Sequence, residues 1–221
     1  TMTINDENFY NRLGNDLKIG LGESFMAHEW TASPDLAEVL TPYAEKLLHI
    51  VPGWMRKFRK LFEPFQPKNE ENNLEGSKSN ISRHYDLSND LFQLFLDETM
   101  MYSSANFAGE NPNWNNFAKA QIRKIEGILD FAGVKAGMHI LEIGTGWGQL
   151  AMQAAYRGAK VHSITLSKEQ KALADKRIAK AGLSNLVTVE IRDYRDLEGE
   201  YDAVVSVEMI EAVGEKYWPT Y

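Results

Sequence analysis

The spacing of apolar positions changes along the chain at about residue 138. Upstream it is helical. "SPDLAEVLTPYAEKLLHI" puts Leu36, Val39, Leu40, Tyr43, Leu47 and Ile50 at mixed three- and four-residue steps, which predicts an amphipathic helix with its start at Ser33 and Pro34. "NDLFQLFLD" and "WNNFAKAQIRKIEGILDFAG" carry the same spacing, and the second closes at Gly133. Downstream, short apolar runs alternate with helical stretches. "HILEIG", "KVHSITLS", "LVTVEIRD" and "YDAVVSVEM" read as strands, with "GQLAMQAAYRG" and "SKEQKALADKRIAKAG" as helices between them. That alternation predicts βαβ units and a parallel sheet, an α/β Rossmann-like fold.

A polar tract, "QPKNEENNLEGSKS", interrupts the helical part. It contains Pro, Gly and a single apolar residue, Leu74, and reads as a linker. The predicted organisation is therefore a small, mainly helical N-terminal domain over 1–65, a linker over 66–80, and an α/β domain over 81–221. Four strands with one face of their sheet bare would be an unusual complete domain. The expectation is that this is the first part of a longer natural protein, with the C-terminal strands missing from the chain.

Composition narrows the function classes. With 43% hydrophobic and 11% aromatic residues in 221, a buried core is expected. A formal net charge of −7 argues against nucleic acid as a general partner, because phosphate binding needs a surplus of Lys and Arg on the binding face. No cysteine occurs, so disulfides and thiolate metal sites are excluded. No metal site is predicted. Apolar runs fall short of the roughly 18–20 residues a membrane span needs, and "TMTINDENFY" lacks the plan of a signal peptide, so a cytoplasmic protein is expected.

The chemistry-bearing feature is "HILEIGTGWGQL", with Gly144, Gly146 and Gly148 at every second position behind a strand. A dinucleotide-binding turn runs G-x-G-x-x-G. Here the spacing is G-x-G-x-G, with Glu142 two residues ahead of the first glycine. This suits a nucleoside without a pyrophosphate. The methionine end of S-adenosylmethionine carries an ammonium and a sulfonium, and Glu142 offsets that charge directly or through water, while Gly144 and Gly146 let the backbone approach. A merely tight structural turn is the other reading. At the end of the second strand, where a carboxylate for ribose hydroxyls is usual, the chain has Thr165. Thr165, Ser167 and Gln170 can act as neutral partners; equally, Ser167 can simply cap the following helix. Asp193 in "RDYRD" either meets an adenine amino group or belongs to an exposed charged loop.

Several stretches resemble the cyclopropane-fatty-acyl-phospholipid synthase family and its mycolic-acid-modifying relatives: "SRHYDLSNDLFQLFLDETMMYSSANF", "LEIGTGWGQLA", "ITLSKEQ", "DYRD" and "VVSVEMIEAVGEKYWPTY". "DLKIGLGESFMAHEWTASPDL" also looks like the extra N-terminal domain of the phospholipid-acting branch. The resemblance implies a class I methyltransferase fold and transfer of a methyl from S-adenosylmethionine to the double bond of an unsaturated acyl chain in a phospholipid. The resulting carbocation closes to a cyclopropane by losing a proton. The resemblance further implies that Tyr102, Ser103, Gly144, Gly146, the run Thr165, Leu166, Ser167 to Gln170, and Asp193 with Tyr194 contact the cofactor. It makes the base a bound bicarbonate held partly by Glu211 in "MIEAVG", places the backbone of Ser104 at that bicarbonate, and implies a homodimer.

Two departures follow. The family commonly has "YSCAY" where this chain has "YSSAN", so Ser104 replaces a Cys; and the family's downstream His and Tyr that complete the bicarbonate site lie beyond residue 221. The 221 residues alone are therefore expected to bind cofactor poorly and not to turn over. His84 and Tyr85, with Asp86, form either an active-site wall or a helix-leading loop in which Asp86 and Asn89 are local caps. Glu208 reads as a solvent-side residue. In "PGWMRKFRKLFEPF", Trp54, Met55, Phe58, Leu61, Phe62 and Phe65 face Arg56, Lys57, Arg59 and Lys60, a pattern for peripheral contact with the inner face of a phospholipid bilayer; packing on a core is the other reading. Within the same chemistry, proton loss to a methylene, later reduced to a methyl branch, is the alternative product. A non-catalytic lipid-binding module is the alternative from another class.

Overall fold

The computed structural model describes residues 1–15, 17–50 and 89–221. The linker over 66–80, the basic stretch 52–65 and the segment with His84, Tyr85 and Asp86 lie outside the described residues. The chain divides into two compact units, 1–65 and 66–221.

In the first unit the order is β1 (Met2–Ile4), α1 (Asn8–Asn15), α2 (Leu17–Met26), β2 (Trp30–Ala32) and α3 (Leu36–Ile50). β1 and β2 pair antiparallel, with Thr3 opposite Thr31, a small sheet the sequence reading lacks because three-residue strands carry no periodicity. α1 and α2 meet at Gly20, where a Cβ would fall 2.3 Å from the carbonyl oxygen of Arg12; only glycine lets the backbones come this close. Phe9, Trp30 and Val39 form the core, with Leu13, Leu21 and Leu36 against it. The Trp30 indole donates to Leu21 O at 3.2 Å and to Ser24 Oγ at 3.1 Å. Helix α3 starts at Leu36 rather than at Ser33 and Pro34, because Asp35 Oδ1 accepts from the Glu38 amide at 2.8 Å and so acts as the cap.

The second unit opens with α4 (Asn89–Phe95) and α5 (Trp114–Phe131) and then alternates: β3 (His139–Ile143), α6 (Gln149–Tyr156), β4 (Lys160–Thr165), α7 (Lys168–Lys180), β5 (Val187–Ile191), β6 (Ala203–Ser206) and the short α8 (Ile210–Val213). Asn113 caps α5 in a reciprocal capping box with Asn116. The four long strands pair parallel in the order β5-β4-β3-β6. This is the expected α/β architecture. Ile140, Val161, Val187, Val189 and Val205 point to one face and join Ile125 and Leu129 of α5, the alanines of α6, and Ile178 of α7 in the main core. The opposite face is not left bare. Leu141, Ile143 and Ile164 are covered by Tyr194, Leu197, Tyr201 and Tyr221, and the His162 ring lies between the Tyr201 hydroxyl at 2.7 Å and Glu190 at 2.9 Å. Val204, 57% exposed, marks the open end of that face at the β6 edge.

Candidate functional site

The strand order reverses between β3 and β6: the chain runs from β3 out to β5 and returns to the far side of β3. In open α/β sheets the crevice beyond the carboxyl ends of the strands at such a reversal is where ligands bind. Four segments meet there in this unit: the glycine turn after β3, the end of β4, the loop over 99–106, and the end of β6.

The turn needs its glycines for conformation. Gly144, Gly146 and Gly148 have φ of +94°, +52° and +85°, and Gly148 is the N-cap of α6. The amides of Gly144 and Thr145 both donate to Ile164 O, at 3.0 and 3.1 Å, which pins the turn to β4. The Met209 side chain covers Gly144, where a Cβ would sit 2.8 Å from the sulfur; a Cβ at Gly146 would meet nothing within 4 Å. The turn therefore offers bare backbone at Gly146, a cradle that a nucleoside ligand fits.

Glu142 faces the helix-covered side of the sheet opposite Ser163 in the β3–β4 register. It is 3% exposed. The Ser163 hydroxyl donates to Glu142 Oε2, and Ser163 is itself 2.6 Å from the Thr145 hydroxyl. Burial pushes the Glu142 carboxyl up to about 8, with the Ser163 bond pulling the other way. A carboxyl in this state is neutral at pH 7 and becomes an anion when a cation arrives, which fits a ligand carrying an ammonium or sulfonium.

At the end of β4 the polar groups satisfy one another. Thr165 Oγ1 donates to Gln170 Oε1 at 3.0 Å and accepts from the Ser167 amide at 3.1 Å, and Ser167 Oγ caps α7 by accepting from the Gln170 amide at 3.2 Å. Leu166 between them is half-buried. Asp193 is buried rather than in an exposed loop, because its carboxylate takes the Arg195 guanidinium at 2.6 and 2.8 Å and the Arg195 amide at 3.0 Å. Tyr194 stands edge-on to Tyr221 at 5.0 Å, and burial raises its hydroxyl above the ordinary value.

The loop over 99–106 is held at three points. Gln121, fully buried in α5, donates to Met101 O and Ser103 O at 3.3 and 2.9 Å. Arg177 of α7 donates to Thr99 O, Trp147 O and Gln149 Oε1 at 3.0, 2.9 and 2.7 Å, tying loop and glycine turn together. Tyr102 meets Phe92 at 5.4 Å and Phe95 at 6.1 Å, and Phe92 meets Trp147 at 4.8 Å. The Trp147 indole donates to Asn89 Oδ1 at 2.7 Å, and Asn89 Nδ2 reaches Glu169 O at 3.3 Å. Asn89 is thus a long-range tie rather than a local cap. Lys124 Nζ contacts Ser103 Oγ; burial lowers the Lys124 ammonium, opposed by the negative charges of Glu208 and Asp97. The Ser104 amide and hydroxyl both donate to Glu208 Oε1, at 2.9 and 3.3 Å.

The mycolic acid cyclopropane synthetase family model matches residues 72–221. The chain belongs to that family. A tuberculostearic acid methyltransferase of Mycobacterium tuberculosis is 50% identical over 214 residues, covering 95% of this chain and 50% of that protein. The cyclopropane-fatty-acyl-phospholipid synthase of Escherichia coli is 34% identical, covering 99% of this chain and 55% of that one. The chain thus spans about half the length of these relatives. Among solved structures, mycolic acid cyclopropane synthase CmaA1 complexed with SAH and CTAB matches with a TM-score of 0.58 and 33% identity, over 63% of this chain and 48% of that one. The parallel sheet with its flanking helices is the class I methyltransferase fold.

Of the residues singled out by this synthetase family's motifs, the structure brings Tyr102, Ser103, Ser104, Gly144 and Gly146 to the β3–β6 crevice, with Thr165, Ser167, Gln170, Asp193 and Tyr194 along the neighbouring strand ends. Glu211 does not join Ser104: it is exposed in the first turn of α8. The carboxylate that does is Glu208, exposed as the sequence predicts but tied to the Ser104 amide. Gln121, Lys124 and Arg177 carry no functional signal in the sequence, and Asn89 reads there as a local cap. Each acts through a partner between 18 and 80 positions away, and no local pattern carries that information. Among the described residues no cluster of His, Asp and Glu is arranged for a metal ion.

Proposed function

We propose that this chain binds S-adenosylmethionine in the β3–β6 crevice and serves methylation of the double bond of an unsaturated acyl chain in a phospholipid. The observation that carries the reading is the pairing of two surfaces at one place: a glycine turn with the buried Glu142, and an apolar rim. Phe95 and Tyr102, whose rings meet at 6.1 Å, are 42% and 51% exposed, a surface suited to an alkyl chain rather than a polar acceptor. Glu142 would answer the positive charge of the cofactor, Gly146 would carry its backbone contact, and the Thr165 to Gln170 run with Asp193 would meet the nucleoside. When bound, S-adenosylmethionine supplies an electrophilic methyl on a sulfonium.

Methylation of an alkene leaves a carbocation, and the site must then accept a proton. Loss from the new methyl with ring closure gives a cyclopropane; loss after a hydride shift gives a methylene branch. The relative at 50% identity is named for methylation rather than cyclopropanation, which favours the branched product as the second reading. The family resemblance implies a bicarbonate at Glu211 as that acceptor, whereas the carboxylate bound to the Ser104 amide is that of Glu208. Assembly as a homodimer and contact of the 52–65 stretch with the inner face of the membrane belong to the same proposal. Reversing Arg56, Lys57, Arg59 and Lys60 to Glu is expected to abolish sedimentation with anionic liposomes; retained binding removes the membrane part.

The test is an assay of the natural full-length protein with methyl-labelled cofactor and unsaturated phospholipid. Label in the acyl chain is expected, and mild hydrogenation then separates the isomers, since the methylene takes up hydrogen and the ring does not. No label in any acyl chain would overturn the reading.

A further inference from the structure

The least expected feature of the crevice is the backbone of Glu208. It has φ of +52°, a left-handed conformation that is costly for a non-glycine residue and persists only where surroundings impose it. Two neighbours impose it here. Met209 next to it lies over Gly144, and the Glu208 carboxylate is held by the Ser104 amide and hydroxyl from a loop 104 positions away. Both bonds fall on Oε1, and among the described residues Oε2 takes none. The half-buried Lys124 ammonium feels the charge of this carboxylate and touches Ser103 beside it. A strained residue whose carboxylate is fastened to the loop at the ligand crevice, beside the Ser103 that a lysine touches, is arranged for chemistry rather than for stability.

We propose that Glu208 is the proton acceptor of the methylation, the base that the methylated acyl chain requires; this rests on the function proposed above. The step balances within substrate and side chain. A C–H bond of the added methyl breaks, and its electron pair forms either the ring bond to the cationic carbon or, once a hydride has moved from the methylated carbon to its neighbour, the C=CH2 bond. The proton goes to the Glu208 carboxylate and from there to water. The same geometry bears on an external anion. With the Ser104 amide occupied by Glu208, a bicarbonate seated there would have to displace a carboxylate of like charge, so the chain carries its own base where an external one would otherwise bind.

The experiment uses the natural full-length protein, Glu208→Gln as the neutral isostere, and Glu208→Gly, which suits a φ of +52° and so keeps the fold. Wild-type turnover is expected to be independent of added bicarbonate in carbon-dioxide-free buffer. Glu208→Gln is expected to lose about 100-fold or more in turnover, the usual contribution of a positioned base, while cofactor affinity measured by calorimetry stays within about twofold. In Glu208→Gly, which frees the Ser104 amide, bicarbonate is expected to restore part of the rate. A readout independent of turnover is the Ser104 amide proton by NMR: hydrogen-bonded to the Glu208 carboxylate in wild type, it is expected to resonate downfield of its position in Glu208→Gly, where that acceptor is gone. Wild-type turnover that collapses without bicarbonate, or a Glu208→Gln enzyme as fast as wild type, would overturn the proposal. Absence of acyl methylation by wild type itself overturns the underlying function instead, and the Ser104 amide shift between wild type and Glu208→Gly still decides whether Glu208 holds that amide.

Discussion

The ends of β3 and β6 lie side by side, and each presents a glutamate to the same crevice in a different way. Glu142 is buried, takes a hydroxyl from Ser163, and has its carboxyl pushed up to about 8 by burial. Glu208 is exposed, takes an amide and a hydroxyl from Ser104, and stands on left-handed backbone. One strand end tunes a carboxyl through its surroundings; the next aims one through its backbone. Residue type alone does not distinguish a group meant to answer a fixed charge from one meant to take a proton.

The largest expected effect is at the hinge between them. Gly144→Ala sets a Cβ against Met209, which flanks Glu208, and strains a φ of +94°. It is expected to weaken cofactor binding about 100-fold or more, corresponding to roughly 3 kcal/mol, measured by calorimetry; an affinity within a few-fold of wild type would show that the two strand ends are not packed as one site. Next is Glu142→Gln. The raised carboxyl binds its proton in the folded state through a range where the unfolded chain has lost it, so wild-type stability falls as the pH rises from the ordinary carboxylate value to about 8 and levels off above it. The slope is up to about 1.4 kcal/mol per pH unit, and denaturant titrations at several pH values should show it vanish in the variant. Cofactor binding near pH 7 should release close to one proton in wild type and none in Glu142→Gln, read from binding heats in two buffers of different ionisation enthalpy.

Ser163→Ala removes the one hydrogen bond that favours the ionised Glu142. Its effect is smaller, about 1 to 2 kcal/mol, and its signature is the same pH-dependent stability loss with the upper limit moved to higher pH. Smallest is Ser104→Ala. It keeps the amide bond to Glu208 and loses only the 3.3 Å hydroxyl contact, so turnover is expected to drop less than about fivefold. A loss as large as that of Glu208→Gln would mean that the hydroxyl, not the amide, holds the carboxylate.

The alternation of strands and helices after residue 138, the glycine turn and the Ser167 cap were legible in the sequence because each rests on neighbours within a few positions. The β1–β2 pair was not, since it joins residues 28 apart at the Thr3–Thr31 match through strands too short to show alternation. Asp193 could be read as a loop residue because its buried state depends on Arg195 folding back over it. Glu208 is the sharpest case. A sequence shows a glutamate at a strand end, but the sign of its φ and its Ser104 partner exist only once the loop over 99–106 has been fastened by Gln121 and Arg177.

The tie from Asn89 to Trp147 and Glu169 also sets a timetable for the nascent chain. The indole that donates to Asn89 is made 58 residues later, and the carbonyl that takes its amide 80 residues later. At about 5–20 residues per second, α4 waits several seconds on the ribosome with Phe92 lacking the Trp147 ring that buries it. Until then that apolar helix is an exposed surface on which chaperones can act, and α4 should gain protection from amide exchange only once residue 169 has emerged.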